Sequence, residues 1–296
     1  MRPWLAALCL LGGLSAAVPA TAQSPVWALR GTHNTVYLAE SIHLLKPDAA
    51  ALPAAFDRAW SDSSVLVMEL DLGHMDPAQV SGWLLQHGRY TDGTTLEQAM
   101  GTERYALVGA EAVKLGLSPG MLDGLKPWVA ALMLADLRYM KLGFDPDAGV
   151  EKQLLARKDH PHQSAGLETI DQELGQLDRL PPADQARFLE QTAQDLRDDD
   201  QDTDDLVRAW RAGDSAGLAK LLSDEYTGFP TLYDALVTER NRRWLPQVQR
   251  FLQDDRNYMV VVGALHVVGR GGLLELLRKA GVKIDPVPGT AVTPTH

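Results

Sequence analysis

Two short apolar runs, near opposite ends of the chain, each lead into a histidine. Residues 257–262 read Asn-Tyr-Met-Val-Val-Val and continue through Gly-Ala-Leu to His266. A run this short, closed by glycine, predicts a strand buried on both faces of a sheet. Residues 35–39 predict a second strand, which continues through Glu-Ser-Ile to His43. Both histidines are therefore expected just past a strand's carboxyl end, where open α/β sheets bind their ligands.

A third buried strand is predicted at residues 64–71, and Glu69 interrupts its apolar pattern. Burying a carboxylate is costly unless it is paired or bound to a metal. Two interpretations of this residue are open. One is a salt bridge to a buried arginine, and the other is a role in a site at the strand's carboxyl end.

The middle of the chain has a different pattern. Between residues 76 and 222, apolar positions recur at the three- and four-residue spacing that is typical of helices. After the second histidine, residues 271–281 predict a helix that stops at glycine, and residues 282–288 predict a final edge strand. Strands are thus expected near both ends, with a mostly helical region between them.

The first 22 residues have the three parts of a secretory signal peptide, which are a basic start, an apolar stretch and Ala-Thr-Ala. Cleavage is expected after Ala22. The apolar stretch is short and contains two adjacent glycines, so a stable membrane span is the less favoured interpretation. The rest of the chain is predicted to form one domain over residues 23–290, followed by a tail over residues 291–296.

Charge and cysteine content limit which binding partners and which cellular compartment are expected. The chain has 39 acidic and 28 basic residues and a net charge of -11, and removing the leader with Arg2 brings this to about -12. Such a charge disfavours nucleic acid and anionic membranes as partners. The only cysteine, Cys9, lies in the leader, so the mature chain is expected to have no disulfide and no thiolate metal site. A bacterial periplasmic or secreted protein is expected.

Three other polar features are interpreted as solvent-exposed. His33 falls in a predicted turn. His160 and His162 flank a proline, and although such a pair is able to chelate a metal, no further ligand is near in sequence. The acidic run at residues 198–205 resembles a calcium loop, but it lacks the glycine and the glutamate that such a loop requires.

Two histidines and a carboxylate are ligands that zinc, manganese or cobalt takes when one position stays open for water. His43, His266 and Glu69 are the candidate ligands, and Glu69 is also a candidate general base. Arg240 is the candidate cation for stabilising a developing oxyanion. A serine nucleophile is not favoured, because the chain has no Gly-x-Ser-x-Gly motif. Two more carboxylates are available as general bases, namely Glu40 and Glu168.

Six motifs occur in the order seen in the TraB/GumN family, which the chain resembles over nearly all of its mature length. That family looks related to the Tiki metalloproteases and, more remotely, to erythromycin-esterase-like and ChaN-like proteins. Each motif alone is unspecific, whereas the combination is specific. The motifs are residues 37–43, the strand that ends in Glu69, residues 126–128, residues 166–172, residues 239–241 and residues 262–269.

The resemblance implies an α/β fold with a mixed central sheet, built from the N- and C-terminal segments around a helical insertion of about residues 76–235. Each half would bring a Gly-x-x-His motif to one cleft, with Glu69 and the family arginine, Arg240, beside it. The first motif departs from this pattern, because Glu40 stands where the family has glycine. Glutamate does not allow the close backbone approach of glycine. Glu40 is expected either to point into the cleft as an added acid or to distort the site.

The leading hypothesis is a secreted or periplasmic metal-dependent hydrolase, peptidase-like by resemblance to the Tiki branch. Its cofactor would be manganese, cobalt or zinc, and its partner a peptide or another small envelope substrate. The alternative is a non-catalytic periplasmic binding or accessory protein linked to envelope polysaccharide, and Glu40 is the feature that favours it. A third interpretation is that His43 and His266 only cap buried strands.

Overall fold

A computed structural model describes residues 24–197, 201–224, 226 and 228–289. Within these residues, six strands form one mixed sheet in the order β4-β3-β5-β2-β1-β6. The α/β class with a mixed central sheet is therefore confirmed. The strands are β1 (Val26–Arg30), β2 (Thr35–Ser41), β3 (Val65–Met68), β4 (Gln163–Gly166), β5 (Tyr258–Gly263) and β6 (Ile284–Pro286).

Helices fill the long segment between β3 and β5 and flank the sheet. The helix α7, for example, begins at a capping box in which Thr169 and Gln172 satisfy each other's free backbone N–H groups. The helices are α1 (Ala54–Asp62), α2 (Pro77–His87), α3 (Leu96–Met100), α4 (Thr102–Lys114), α5 (Pro127–Lys141), α6 (Val150–Ala156), α7 (Ile170–Asp178), α8 (Pro182–Asp195), α9 (Gln201–Ala212), α10 (Ser215–Asp224), α11 (Pro230–Tyr233), α12 (Glu239–Phe251), α13 (Ala264–Val268) and α14 (Leu273–Lys279).

The central strand β5 pairs in parallel with β2 on one side and with β3 on the other. Its first five residues are all buried, as the valine-rich pattern predicts. In register, Ser41 lies opposite Gly263 and Met68 lies opposite Val261. Because the three strands are parallel, their carboxyl ends meet at one edge of the sheet, and the residues that follow them are brought together there.

The region predicted to be helical contains one strand that its pattern does not predict. β4 has the sequence Gln-Ser-Ala-Gly, which contains no β-branched or aromatic residue. It forms because it pairs in parallel with β3, from Val65 opposite Gln163 to Met68 opposite Gly166. The middle of the chain therefore adds the edge strand of the sheet, in addition to its helices.

Two hydrophobic cores cover the two faces of the sheet, and a third joins helices away from it. One face packs against α1, α6 and α9 around Phe56 and Trp210. The other face packs against α12 and α14 around Trp244 and Leu277. The third core joins α3, α4, α5 and α8. α12 thus lies on the sheet itself, with its N-terminal part close to the carboxyl ends of the strands.

Three histidines outside the candidate site were expected to be exposed, and the structure confirms this for only one of them. His33 is exposed in the turn between β1 and β2. His160 and His162 are half-buried rather than freely exposed, because both contact Ser63 and His162 stacks on Trp60 with ring centroids 3.7 Å apart.

Several expectations fall wholly or partly outside the part of the chain that the structure describes. The predicted leader at residues 1–22 and the tail at 291–296 lie outside it, as does the start of the acidic run at 198–205. None of the described helices is long and apolar enough to cross a membrane.

Candidate functional site

Three of the predicted site residues, His43, Glu69 and His266, surround a space beside Gly263, which is the last residue of β5. A Cβ atom placed on Gly263 would lie 3.3 Å from Oε1 of Glu69. The same atom would lie 3.6 Å from Nε2 of His43 and 3.7 Å from Cδ2 of His266. Gly263 has φ -50° and ψ 139°, which any residue can adopt. Glycine at this position therefore provides space between the three side chains and is not needed for the backbone conformation.

His266 lies in α13, immediately after β5, and its orientation is set by Asn241. Nδ1 of His266 is 2.9 Å from Oδ1 of Asn241. The amide nitrogen of Asn241 donates to the backbone oxygens of His266 and Gly271, so Oδ1 is left to accept from an Nδ1–H group. Burial lowers the pKa of His266 to about 3, which keeps the ring neutral. Its Nε2 atom is therefore unprotonated and able to accept a hydrogen bond or bind a cation.

His43 follows β2 and differs from His266 in its exposure. Its side chain is 61% exposed, whereas that of His266 is only 7% exposed. The negative charge of Glu151, whose Oε1 lies 2.9 Å from Nδ1 of His43, raises the pKa of His43. Nε2 is the nitrogen that faces the space beside Gly263. The cleft is thus open to solvent on the His43 side and closed on the His266 side.

A buried guanidinium holds three carboxylates next to this space. Nε of Arg240 donates to Oε1 of Glu168 at 2.8 Å, and Nη2 donates to both Glu69 and Glu168. The same Nη2 lies 3.6 Å from Oε1 of Glu173. Nη1 lies 3.1 Å from Nε2 of His266, which is the acceptor in that contact. Arg240 therefore connects all three carboxylates with one of the two histidines.

Glu69 makes the salt bridge that one interpretation predicted, and its other oxygen faces the cleft. Its Oε2 atom forms the salt bridge with buried Arg240, which is the structural interpretation. Its Oε1 atom accepts the backbone N–H of Gly263 at 2.7 Å and faces the cleft. Although burial acts in the opposite direction, the charge of Arg240 lowers the pKa of Glu69 well below its usual range. Glu69 is therefore an ionised carboxylate with one oxygen directed at the space beside Gly263.

Glu173, in the first turn of α7, was not predicted from the sequence as a site residue. Burial and the neighbouring charge of Glu69 raise its pKa to about 7. Its Oε2 atom has no hydrogen-bond partner within the described residues. A carboxyl group of this kind can release or accept a proton near neutral pH. The only signal in the sequence was its position just after residues 166–172, one of the six motifs.

Trp244 forms the floor beneath the charged groups. The guanidinium of Arg240 lies 4.8 Å from the centroid of its ring, and the ring of His266 lies 4.5 Å from it. Trp244 is fully buried. A cation over an indole face is stabilised electrostatically, and the ring also excludes water from beneath Arg240 and His266. Arg240, Asn241 and Trp244 all lie in the first two turns of α12, so a single helix sets this side of the cleft.

Glu40 lies apart from this cluster. Its side chain is fully buried, and its Oε1 atom accepts hydrogen bonds from Trp27 at 3.4 Å and from Ser215 at 3.1 Å. The pairing of β2 with β5 continues without a break through Glu40, which lies opposite Val262. Glutamate at this position does not interrupt the sheet. Within the described part of the chain, none of its side-chain hydrogen bonds reaches the residues around Gly263.

The burial of Glu40 leads to a test by pH. Burial raises its pKa from 4.5 to about 7, so the ionised form is disfavoured in the folded state. Stability contributed by this group is therefore lost as the pH rises from about 4.5 to 7. Glu40→Gln removes that loss, and we expect it to raise the free energy of unfolding by about 3 kcal/mol at pH 8.

The same substitution is expected to change the free energy of unfolding little at pH 4.5, because Glu40 is protonated in the folded state there and is still half protonated in the unfolded state. Urea unfolding of wild type and Glu40→Gln at both pH values measures this difference. An equal effect at the two pH values would contradict a raised pKa at Glu40.

A family model and two relatives match the chain. The model, described as the TraB/PrgY/gumN family, matches residues 25–286. The chain is similar to the uncharacterized protein YbaP of Escherichia coli (strain K12) and to that of Shigella flexneri. Each is 25% identical over 268 residues, which covers 86% of this chain and 97% of the relative. No solved structure gives a significant match.

Proposed function

Because the chain belongs to the TraB/PrgY/gumN family, we propose that it is a metal-dependent hydrolase of the periplasm or the extracellular space, with peptidase-like activity. The observation that carries the proposal is the convergence of His43, Glu69 and His266 at the space beside Gly263. Residues from both ends of the chain supply two imidazoles and a carboxylate to that space. This is a donor set that catalytic metal sites use.

The types of donor atom in this set suit a small divalent ion. Each histidine has its Nδ1 atom engaged by an oxygen, from Glu151 for His43 and from Asn241 for His266. Metal-binding histidines are typically held through the second ring nitrogen in this way. His43 and His266 would bind through Nε2, and Glu69 through Oε1. Manganese, cobalt and zinc suit such a mixed nitrogen and oxygen set, and the ion would supply Lewis acidity at neutral pH.

The protein's own groups have separate tasks in this proposal. Arg240 holds Glu69 through Oε2 and so keeps its Oε1 directed at the cleft. Glu173, with a pKa near 7 and an unpaired oxygen, is placed to carry a proton between substrate and solvent. Its side chain is 25% exposed, which allows that exchange. Arg240 would also be able to stabilise a transition state, but only if one of its N–H groups first broke its hydrogen bond to a carboxylate or to His266.

The exposed side of the cleft indicates how a substrate would enter. His43 is largely exposed, whereas Glu69 and His266 are buried. A peptide or another small envelope substrate would therefore approach over His43 and meet the buried groups last. Burial of Glu69 and His266 strengthens their electrostatic effect on a bound group, because water screens them less.

A second function has one observation in its favour. Nη1 of Arg240 lies 3.1 Å from Nε2 of His266, so the guanidinium uses the lone pair that a metal would need. This contact favours a cleft that is stable without a metal and that binds a ligand without turnover. A non-catalytic binding or accessory protein of the cell envelope is the alternative on this ground.

Removing the metal and adding it back distinguishes the two proposed functions. The purified chain would be treated with a chelator and then titrated with manganese, cobalt or zinc, with metal content and cleavage of a mixed unstructured peptide pool measured together. We expect about one ion per chain and cleavage that depends on it. His43→Ala should weaken metal binding by more than the roughly 100-fold typical of losing an outer partner, since it removes a ligand.

The matched control is His33→Ala, which removes an exposed turn histidine and should change neither metal content nor cleavage. His43→Ala is the preferred test, because the exposed His43 side chain contributes less to folding than the buried His266. Metal binding no tighter in the wild type than in His43→Ala would overturn the metal-dependent hydrolase and leave the accessory function.

A further inference from the structure

The buried carboxylate of Glu151 contacts the exposed ring of His43. Glu151 lies in α6, and its Oε1 atom is 2.9 Å from Nδ1 of His43. The Glu151 side chain is 7% exposed, whereas the His43 side chain is 61% exposed. A histidine so exposed would ordinarily sample several rotamers and both neutral tautomers. A fixed acceptor beside one nitrogen removes much of that freedom.

Backbone contacts fix the position of Glu151 relative to His43. The N–H of Val150 donates to the backbone oxygen of Ile42 at 3.1 Å, and the N–H of Asp145 donates to that of Leu45 at 2.9 Å. These bonds tie the segment before and at the start of α6 to both sides of His43. The start of α6, which carries Glu151, is therefore held against His43 by main-chain bonds and not by the carboxylate contact alone.

A glycine allows this close approach of the two segments. A Cβ atom on Gly149 would lie 2.0 Å from the backbone oxygen of His43, which is far closer than two unbonded atoms can come. Gly149 is extended, with φ -61° and ψ 155°, so its lack of a side chain matters for space and not for conformation. Only glycine lets α6 begin directly against the backbone of His43.

We propose that Glu151 is the positioning residue of His43, holding a proton on Nδ1 and turning Nε2 toward the space beside Gly263. This inference rests on the proposed metal site. The two ligands would then be held by different chemistry, His43 by a carboxylate and His266 by the amide of Asn241. A carboxylate on Nδ1–H makes Nε2 more basic and so strengthens its bond to a metal, which an amide does less. The helical middle of the chain thereby supplies part of the site.

The test uses Glu151→Gln, which keeps the size of the side chain and removes its charge. Zinc affinity is measured by competition with a chromophoric chelator, and the ring nitrogens of His43 are followed by ¹⁵N NMR in the metal-free protein. We expect Glu151→Gln to bind zinc roughly 10- to 100-fold more weakly. We also expect a smaller fraction of His43 to carry a proton on Nδ1.

Glu111→Gln is the matched control. Glu111 is also a buried carboxylate, paired with Lys114 at 2.9 Å, but it lies in α4, within the helical core away from the sheet. Its replacement should change neither zinc affinity nor the His43 ring. If Glu151→Gln does not fold like the wild type, Glu151→Asp receives the same measurements, because it keeps the charge and withdraws the carboxylate from His43.

The outcomes separate this inference from the proposed function. If wild type and Glu151→Gln bind zinc equally tightly, the positioning role is overturned while the metal site stands. If the wild type binds no zinc, the proposed function fails, and the NMR measurement alone decides the inference. In that case an unchanged proton distribution on the His43 ring overturns it, and a loss of the Nδ1 proton supports it.

Discussion

Arg240→Met is expected to lower the free energy of unfolding by about 3–5 kcal/mol, which is typical of removing one partner from a buried ion pair. The guanidinium is 7% exposed and contacts Glu69 and Glu168 directly, with Glu173 at 3.6 Å. Methionine fills much of the same volume over Trp244 but leaves these carboxylates without a cation. Urea unfolding of the two proteins at pH 7.5 gives the difference.

Arg243→Met is the control for Arg240→Met. Arg243 lies one turn further along α12, its side chain is 38% exposed, and it lies 3.5 Å from Oε2 of Glu168. Glu168 is buried but keeps Arg240 as its partner, and the partly exposed head group of Arg243 is screened by water, so we expect a loss of less than about 1 kcal/mol. The double substitution Arg240→Met with Glu168→Gln should recover part of the loss, because it removes one of the uncompensated charges.

A loss below about 1 kcal/mol for Arg240→Met would contradict the electrostatic account of the cluster. It would mean that the carboxylates take up protons when the guanidinium is absent, and that Arg240 is not needed to hold Glu69 ionised. The interpretation of Glu69 as a fixed, charged ligand would then also fail, since its charge depends on Arg240 more than on any other group.

Gly263→Ala is expected to weaken metal binding by about 100-fold, the effect of displacing groups in a site by about 1 Å. The added methyl group would lie 3.3 Å from Oε1 of Glu69 and 3.6 Å from Nε2 of His43, within the space that the ion would occupy. Alanine adopts the backbone conformation of Gly263 without strain, so we expect stability to change by less than about 1 kcal/mol. Zinc titration and urea unfolding together separate the two effects.

Gly82→Ala is the matched control for Gly263→Ala. A Cβ on Gly82 would meet no atom within 4 Å, and the residue lies inside α2, where alanine is the better helix former. It should leave zinc affinity unchanged and stabilise the protein slightly. If Gly263→Ala binds zinc as tightly as the wild type, the ion does not lie beside Gly263, and the ligand set proposed for it is wrong.

The pattern of apolar residues was sufficient to predict β2, β3 and β5, because interior strands of a sheet that is covered on both faces need continuous apolar runs. The edge strand β6 was predicted from its proline, which is confined to the edges of sheets. β4 was not predicted, because Gln-Ser-Ala-Gly has no intrinsic preference for a strand and pairs only with β3, whose other neighbour is β5. Its formation depends on the neighbour and not on its own sequence.

The site residues also divide into those that the sequence predicts and those that only the structure identifies. His43, Glu69 and His266 were predicted from their positions after strands, since parallel strands bring their carboxyl ends together. Glu151 and Glu173 carry no such signal, because an acidic residue in a helix most often faces solvent. Asn241 was part of a family motif, but its contact with Nδ1 of His266 could be identified only in the structure.

The sequence by itself determined the strands of the central sheet other than β4, the residues at their carboxyl ends and the family, because all three are recorded in local patterns and motifs. Only the tertiary structure decided that Glu69 pairs with Arg240, 171 positions away in the chain, and that Glu40 turns toward Trp27 and Ser215. Contacts at hydrogen-bond distance between distant segments depend on how whole helices pack on the sheet. A residue's neighbours in sequence do not record that packing.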